Sequence, residues 1–480
     1  MIKNTSLKQK SMRALLWTGS ELILRQGLQL GIAIFLARML TPEEFGTVAL
    51  LYVFIGIGTV FIESGFPSAL VQKQDVTHTD ESTVFWFNLG MGAVVAVLLV
   101  IIAPLIAQFF QRPILTDLMG VLALSVFVSA LGGIQHTLST KQLNFKAPMQ
   151  ASVTASVVSG GVVCYLAYHG YGVWSLVWQT LANSLVTSCL LWLFSNWHPT
   201  FVFSLKSLKK LFGFGSYLML TSLMDVVYNR FYGLIIGKIY SVHDLGIYNR
   251  AENTKQIPVD LLSMLMYRVA FPLFAATIND QERLRRGVRS AIRGVMFLNV
   301  PIMLGMIVTC DKLVPIIFGQ QWLPSVPILQ VLCLSGALWP LHVVNLNVLK
   351  ALGHTNLMFR LEILKKILGL VFILVGFSYG IMGLAWSQVV FGVVAFWINS
   401  FYTGRFLSFG FINQFKEIFP IFTVSSLMAA GVYQLDIVLL QPAGIKLGIE
   451  IVFGALLYLL FGILLRLKSI GDILRLVGIK

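Results

Sequence analysis

The chain has 480 residues, 57% of them hydrophobic and 11% charged, with a mean hydropathy of +0.82. Soluble globular chains do not reach that balance, and apolar segments of about 20 residues, the length that spans a bilayer, recur from end to end, leaving no room for a soluble domain. The formal net charge of +15 lies in short loops between those segments, where the positive-inside rule expects it, and with no recognisable nucleic-acid module it excludes a nucleic-acid partner.

The basic N-terminus, MIKNTSLKQKSMRA, leads into an apolar stretch that runs past Gly31 without an A-x-A cleavage site, so a retained first membrane helix is predicted rather than a signal peptide. Spans are predicted over 14–37, 45–66, 83–108, 115–138, 148–168, 172–194, 212–238, 246–276, 288–309, 325–349, 357–377, 381–404, 415–434 and 445–466, about fourteen in all. With the N-terminus in the cytoplasm, Lys3, Lys8, Lys10, Lys141, Lys146, Lys206, Arg283, Arg285, Arg286, Arg289, Lys350, Arg405 and Arg466 fall inside, and the opposite loops keep mainly Arg38, Arg112, Lys238, Lys312 and Lys446. Both termini are therefore expected in the cytoplasm. The eighth span opens with GIYNRAENTKQIPVD, too polar to face lipid, and Pro258 is expected to break its helix, as happens where backbone lines a cavity. Cys164, Cys189, Cys310 and Cys333 stand singly and read as packing residues, so no metal site is predicted.

The chain aligns with itself. LARMLTPEEFG over 36–46 falls without gaps on IGKIYSVHDLG over 236–246, pairing Arg38 with Lys238, Thr41 with Ser241, Glu44 with Asp244 and Gly46 with Gly246. Farther on, Phe66 and Pro67 correspond to Phe271 and Pro272, Lys141 to Lys350, and Tyr171, Gly172, Leu176 and Trp178 to Tyr379, Gly380, Leu384 and Trp386. Each copy holds six spans, an even number, so the copies enter the membrane in the same sense and are expected to be related by an axis along its normal. The predicted fold is an all-α polytopic membrane protein: an N-lobe over 1–200, a C-lobe over 201–405, and two further helices with a cytoplasmic C-terminus over 406–480.

A charge within a spanning helix costs about 2.5–3.5 kcal/mol on insertion scales, so it faces a partner or a watery cavity. The first helix carries Glu21 and Arg25 one turn apart, with Gln29 continuing that face; the seventh carries Asp225, Asn229 and Arg230, and Arg25 falls opposite Asp225 in the repeat register. Glu63 adds a charge on the second helix, Arg250, Lys255, Asp260 and Arg268 on the eighth, and Arg360, Glu362, Lys365 and Lys366 on the eleventh, where snorkelling to the interface is the simpler account. The candidate cavity set is Arg25, Arg230, Arg250, Lys255, Arg268, Glu21, Asp225 and Glu63. A cation surplus suits an anionic cargo, because arginine offers phosphate planar bidentate contacts at any physiological pH. Tyr217, Tyr228, Asn229, Tyr232, Tyr248 and Asn253 offer aromatic and amide surface for sugars.

With the opening ALLWTGSELILRQGLQLGIAIFLARMLTPEEFGTVAL and its second-half counterpart DLGIYNRAENTKQIP, the chain resembles the polysaccharide transporter, or O-antigen (Wzx-type) flippase, family of the multidrug, oligosaccharidyl-lipid and polysaccharide exporter superfamily, nearest to colanic-acid-type exporters. The resemblance implies two lobes about a cationic cavity, alternating access, and undecaprenyl-pyrophosphate-linked oligosaccharide as cargo in a bacterial inner membrane, with membrane lipids, a polysaccharide polymerase and chain-length machinery as further partners. Related lipid flippases place arginines of helices one, two and eight in the cavity. Arg25 fits the first and Arg250 or Arg268 the third, but the second helix offers Glu63, and that part does not transfer. No cofactor is implied, and proton or sodium coupling through Glu21, Glu63 or Asp225 stays open.

Two rival readings differ in class. A cation or multidrug antiporter of the same superfamily wants a carboxylate-dominated cavity, which the cation surplus opposes. A membrane polysaccharide polymerase or glycosyltransferase needs an acidic catalytic site and usually a long outside loop, and the outside segments are short. A primary pump is excluded by the lack of a G-x-x-x-x-G-K-[ST] loop.

Overall fold

The computed structural model describes residues 26–63, 65–73, 75–142, 144–278 and 280–469. Over these the chain forms helices and no strand: α1 over 26–39, α2 (Pro42–Glu63), α3 (Phe66–Gln72), α4 (His78–Phe110), α5 (Ile114–Lys141), α6 (Lys146–Tyr168), α7 (Val173–Phe194), α8 (Leu205–Ile239), α9 (Val242–Ala276), α10 (Gln281–Ile317), a 3-10 turn (Gln320–Ser325), α11 (Val326–Ala351), α12 (Thr355–Phe377), α13 (Gly380–Leu407), α14 (Phe411–Val438) and α15 (Ala443–Leu464). Every predicted span from the second to the fourteenth falls on one long helix. The first overlaps α1, its residues 14–25 lying outside the described ones. The seven-residue α3, begun by Pro67 after a left-handed Gly65, has no counterpart among the predicted spans.

Among the described residues ten helices are long and apolar enough to cross a membrane. The described part of α1 is too short to qualify, and α8, α9 and α12 are too polar. The expected break at Pro258 is absent, since α9 is helical from Val242 to Ala276. Membrane helices tolerate such prolines without breaking.

Packing divides the chain into two compact units, one up to Gly246 and one from Ile247 on. In the first, α4 lies along α5, α7 along α5 and α6, and α8 along α2, α3 and α4. Its core includes Phe66, Leu70, Phe85, Ile134 and Leu211. In the second, α11 is wrapped by α10, α12 and α13, and α14 leans on α10 and carries α15; Phe274, Leu284, Ile292, Met296, Leu341 and Phe409 form its core. A fully buried amide cluster ties α14 to this core: Asn345 and Gln414 exchange hydrogen bonds at 2.8 and 2.9 Å, and the Thr403 hydroxyl donates to Asn345 at 2.7 Å.

The repeated sequence has repeated geometry. Ahead of α2, Thr41 and Glu44 bond reciprocally, backbone N–H of each to side chain of the other at 2.7 and 3.3 Å. Ahead of α9 the Asp244 N–H donates to the Ser241 hydroxyl at 3.0 Å, and that hydroxyl donates to the Asp244 carboxylate at 2.7 Å. Both are hydroxyl–carboxylate caps that occupy the orphan donors of a helix start. Gly172 and Gly380, which open α7 and α13, both hold positive φ, at 56° and 75°. Only a residue without a Cβ takes that conformation at no cost, which is why the Tyr-Gly pair recurs.

Candidate functional site

In the first unit the repeat-equivalent glycines meet. A Cβ on Gly46 would lie 1.8 Å from the Val242 carbonyl oxygen, and a Cβ on Gly246 would lie 1.8 Å from the Pro42 carbonyl oxygen. Pro42 and Val242 are themselves equivalent, so the first turns of α2 and α9 cross about a local two-fold axis with backbone against backbone. Small residues permit such close crossings in membranes. Beside the crossing, the Glu44 carboxylate reaches Gly172, where a Cβ would sit 2.3 Å from its Oε1.

The candidate residues are distributed unevenly. Glu21 and Arg25 lie outside the described residues, as does the Arg268 side chain on α9. Glu63 ends α2 and is exposed, a position suited to an interfacial charge. On α8, Arg230 is exposed and Asp225 half-buried. Behind α8 the Tyr52 hydroxyl and Thr180 share a hydrogen bond of 2.8 Å.

In the second unit α9 presents a polar face. Arg250 is buried, its guanidinium 4.7 Å from the Phe318 ring centroid and 4.4 Å from that of the fully buried Trp322. Cation–π contacts of this kind strengthen as water is excluded. Lys255 pairs with Glu252 at 2.6 Å, its side chain 7% exposed, and its stem lies against Gly336 of α11, where a Cβ would come within 3.0 Å. Farther along, Gln256 donates to Asp260 at 2.6 Å, and Gln388 of α13 donates to the Tyr248 hydroxyl at 2.6 Å. On α12, Lys365 pairs with Glu362 at 2.5 Å while Arg360 is exposed. A second buried polar contact joins His342 of α11 to Asn399 of α13 at 3.2 Å.

Two features correct the sequence reading in detail. Lys365 is held by a carboxylate inside the unit instead of reaching along α12 to an interface. Lys255 likewise faces Glu252, a residue the sequence reading passed over, so these two cations are locally neutralised.

A further charged group lies at the junction of α10, α14 and α15. Lys312 approaches Asp436 at 2.8 Å, Glu450 at 3.3 Å and Asp311 at 3.3 Å, and Lys446 approaches Asp436 at 2.5 Å. The Glu450 side chain is 0% exposed. Its position in the apolar run GIKLGIEIVFG was the available signal, because a carboxylate there demands a partner. Among the described residues no cluster of three or more His, Cys, Asp or Glu is arranged to hold a metal ion.

Comparison with known proteins gives these arrangements a context. Residues 35–327 match the family described as polysaccharide biosynthesis protein. The teichuronic acid biosynthesis protein TuaB of Bacillus subtilis (strain 168) is 28% identical over 95% of each chain. The lipopolysaccharide biosynthesis protein WzxC of Escherichia coli (strain K12) is 27% identical over 77% of this chain and 76% of its own. Among solved structures, the lipid II flippase MurJ in an inward closed conformation shares the fold with a TM-score of 0.79 over 94% of this chain and 99% of its own, at 17% identity.

Proposed function

This chain belongs to the polysaccharide biosynthesis protein family, and we propose that it is a flippase that carries polyprenyl-pyrophosphate-linked oligosaccharides across the bacterial inner membrane for assembly of a surface polysaccharide. The observation that carries the reading is the polarity of α8, α9 and α12. Each is long enough to span a bilayer yet is not among the ten helices apolar enough to do so by composition, and together they bear the ionisable side chains the cargo would meet. In this reading fourteen helices cross the membrane, both termini are cytoplasmic, and the repeats over 1–200 and 201–405 move as lobes while 406–480 rides on the second.

Arg25, Arg230, Arg250, Lys255 and Arg268 are the proposed phosphate contacts, with Glu21, Asp225 and Glu63 as counter-charges or coupling groups. Lys255 can exchange Glu252 for a phosphate oxygen, because both offer the same charge-assisted bond. Arg230, already exposed, needs no exchange. The glycine crossing supports alternating access: it joins repeat-equivalent turns at the end of the molecule that this topology places outside, so its opening would release cargo there. Carrying a negative headgroup outward is assisted by the membrane potential, at about 2.3 kcal/mol per charge per 100 mV.

The antiporter reading shares the fold and differs in cargo. Deleting the gene and quantifying lipid-linked oligosaccharides by mass spectrometry separates the two. Accumulation of complete lipid-linked units with loss of surface polymer is expected. Unchanged lipid pools with altered drug or cation sensitivity would overturn the flippase reading in favour of the antiporter, and loss of the lipid-linked units themselves would indicate a synthetic enzyme.

A further inference from the structure

On the first unit a groove of about 590 Å³ runs between α2, α4 and α8. Phe54, Leu105, Phe109, Phe110 and Phe231 line it, and the one charged residue along its walls is Lys238, in the last turn of α8. The Lys238 ammonium donates to the carbonyl of Phe109, one of the last residues of α4, and lies 4.2 Å from the Phe109 ring centroid. The pairing has a local cause: the final carbonyls of a helix have no partner within it, and a lysine satisfies them. An ammonium has three donors, and among the described residues that carbonyl is its only hydrogen-bond partner. Leu105 and Phe109 are 63% and 54% exposed, so the groove opens on the molecular surface.

An apolar channel ending in a cation is complementary to one long apolar chain ending in an anion. A diacyl phospholipid brings two chains to each headgroup, whereas a polyprenyl phosphate brings one. We propose that this groove seats the headgroup-proximal isoprene units of the lipid carrier's polyprenyl chain, with the phosphate attached to that chain on Lys238. The assignment rests on the flippase reading and its topology, which place this end of α4 and α8 at the outer leaflet. Burying the chain gains nothing over bilayer hydrocarbon, which is equally apolar. Selectivity comes instead from packing against four phenylalanine rings and from the charge-assisted bond at the end.

The test is native mass spectrometry of the purified full-length protein offered equal amounts of undecaprenyl phosphate and phosphatidylglycerol. Undecaprenyl phosphate should be retained in preference. Lys238→Gln should weaken its retention roughly tenfold, the worth of one charge-assisted hydrogen bond. Leu105→Trp fills the groove from an exposed position, leaves the Lys238 bond intact, and should have a similar effect. A second apolar groove, of about 520 Å³ between α6 and α7, has no charged residue in its lining, so Leu185→Trp there should leave retention unchanged. Equal retention of both lipids, or retention indifferent to both Lys238→Gln and Leu105→Trp, overturns the assignment. Lipid-linked units that accumulate in the deletion strain while binding ignores Lys238 would overturn the groove alone. Unchanged lipid pools alongside Lys238-dependent binding would overturn the flippase reading and leave the groove as a lipid site.

Discussion

Replacing Lys312 by methionine isolates the energetics of the charged junction between α10, α14 and α15. Methionine keeps most of the side chain's length and apolar stem, so the loss is chiefly the charge. Asp436 retains Lys446 at 2.5 Å, and Asp311, 54% exposed, can turn to solvent. Glu450 has neither recourse: its side chain is 0% exposed and Lys312 is the cation beside it. Stranding one buried charge typically costs about 3–5 kcal/mol, and the loss here should fall near the lower figure because Glu450 can take up a proton instead. Lys312→Met should therefore lower the unfolding free energy in detergent by about 3 kcal/mol, whereas Lys312→Met with Glu450→Leu should recover most of it, since an apolar pair is often no worse than the ions it replaces. Denaturant titration of wild type, both single variants and the double closes the cycle. Equal stability of Lys312→Met and wild type, or additive losses in the double variant, would refute the inference that Glu450 is held by Lys312.

Other outcomes follow from the same structure. Gly46→Ala and Gly246→Ala should each prevent the first turns of α2 and α9 from closing, because the clashing atoms are backbone carbonyls that cannot rotate away; transport by inserted protein should fall, while Gly90→Ala, which meets nothing within 4 Å, serves as control. Gly172→Ala should destabilise more than Gly380→Ala in thermal melts: both incur a positive-φ cost, but Gly172, at φ 56° and ψ −130°, lies outside the left-handed helical well, and only there does the new Cβ also strike Glu44. Arg250→Ala should abolish accumulation of surface polymer without loss of membrane insertion, as should Arg25→Ala, and full activity of both variants in complementation would remove the phosphate-contact hypothesis.

The positions of the helices were legible in the sequence because hydropathy registers each one separately. Even α9, with its long polar opening, was placed within a few residues. The repeat was legible for a different reason. Several of its matched residues have local backbone duties, namely the caps Thr41–Glu44 and Ser241–Asp244 and the positive-φ Gly172 and Gly380. Such duties tolerate few residue types, so they leave a signal in one sequence. Contacts between distant helices leave one only where backbone meets backbone and glycine alone fits, as at Gly46 and Gly246; side-chain contacts leave none. That Arg250 stacks on Phe318 and Trp322, or that Gln388 donates to Tyr248, depends on the packing of α9 against neighbours whose register no single-sequence pattern encodes. Glu450 lies between these cases: the charge was visible, and its partners were not.

The ion pairs on α9 and α12 bear on how a polar interior can stay ready for an anionic cargo. An uncompensated lysine among apolar helices would cost several kcal/mol, so an interior of bare cations would destabilise the protein whenever cargo was absent. Lys255–Glu252 and Lys365–Glu362 avoid that cost, each pair joining residues three apart on one helix. A single phosphate charge gains little by displacing a carboxylate, because one charge-assisted bond replaces another. A pyrophosphate gains more, since its additional negative charge strengthens its hold on Lys255 against the single charge of Glu252. The arrangement should therefore discriminate by charge count. Glu252→Gln should loosen that discrimination, raising the affinity for a lipid monophosphate relative to its pyrophosphate, because Lys255 would no longer have to be won from a carboxylate. Competition binding of undecaprenyl phosphate against undecaprenyl pyrophosphate measures the ratio directly, and a ratio unchanged by Glu252→Gln would show that Lys255 does not take part in the choice.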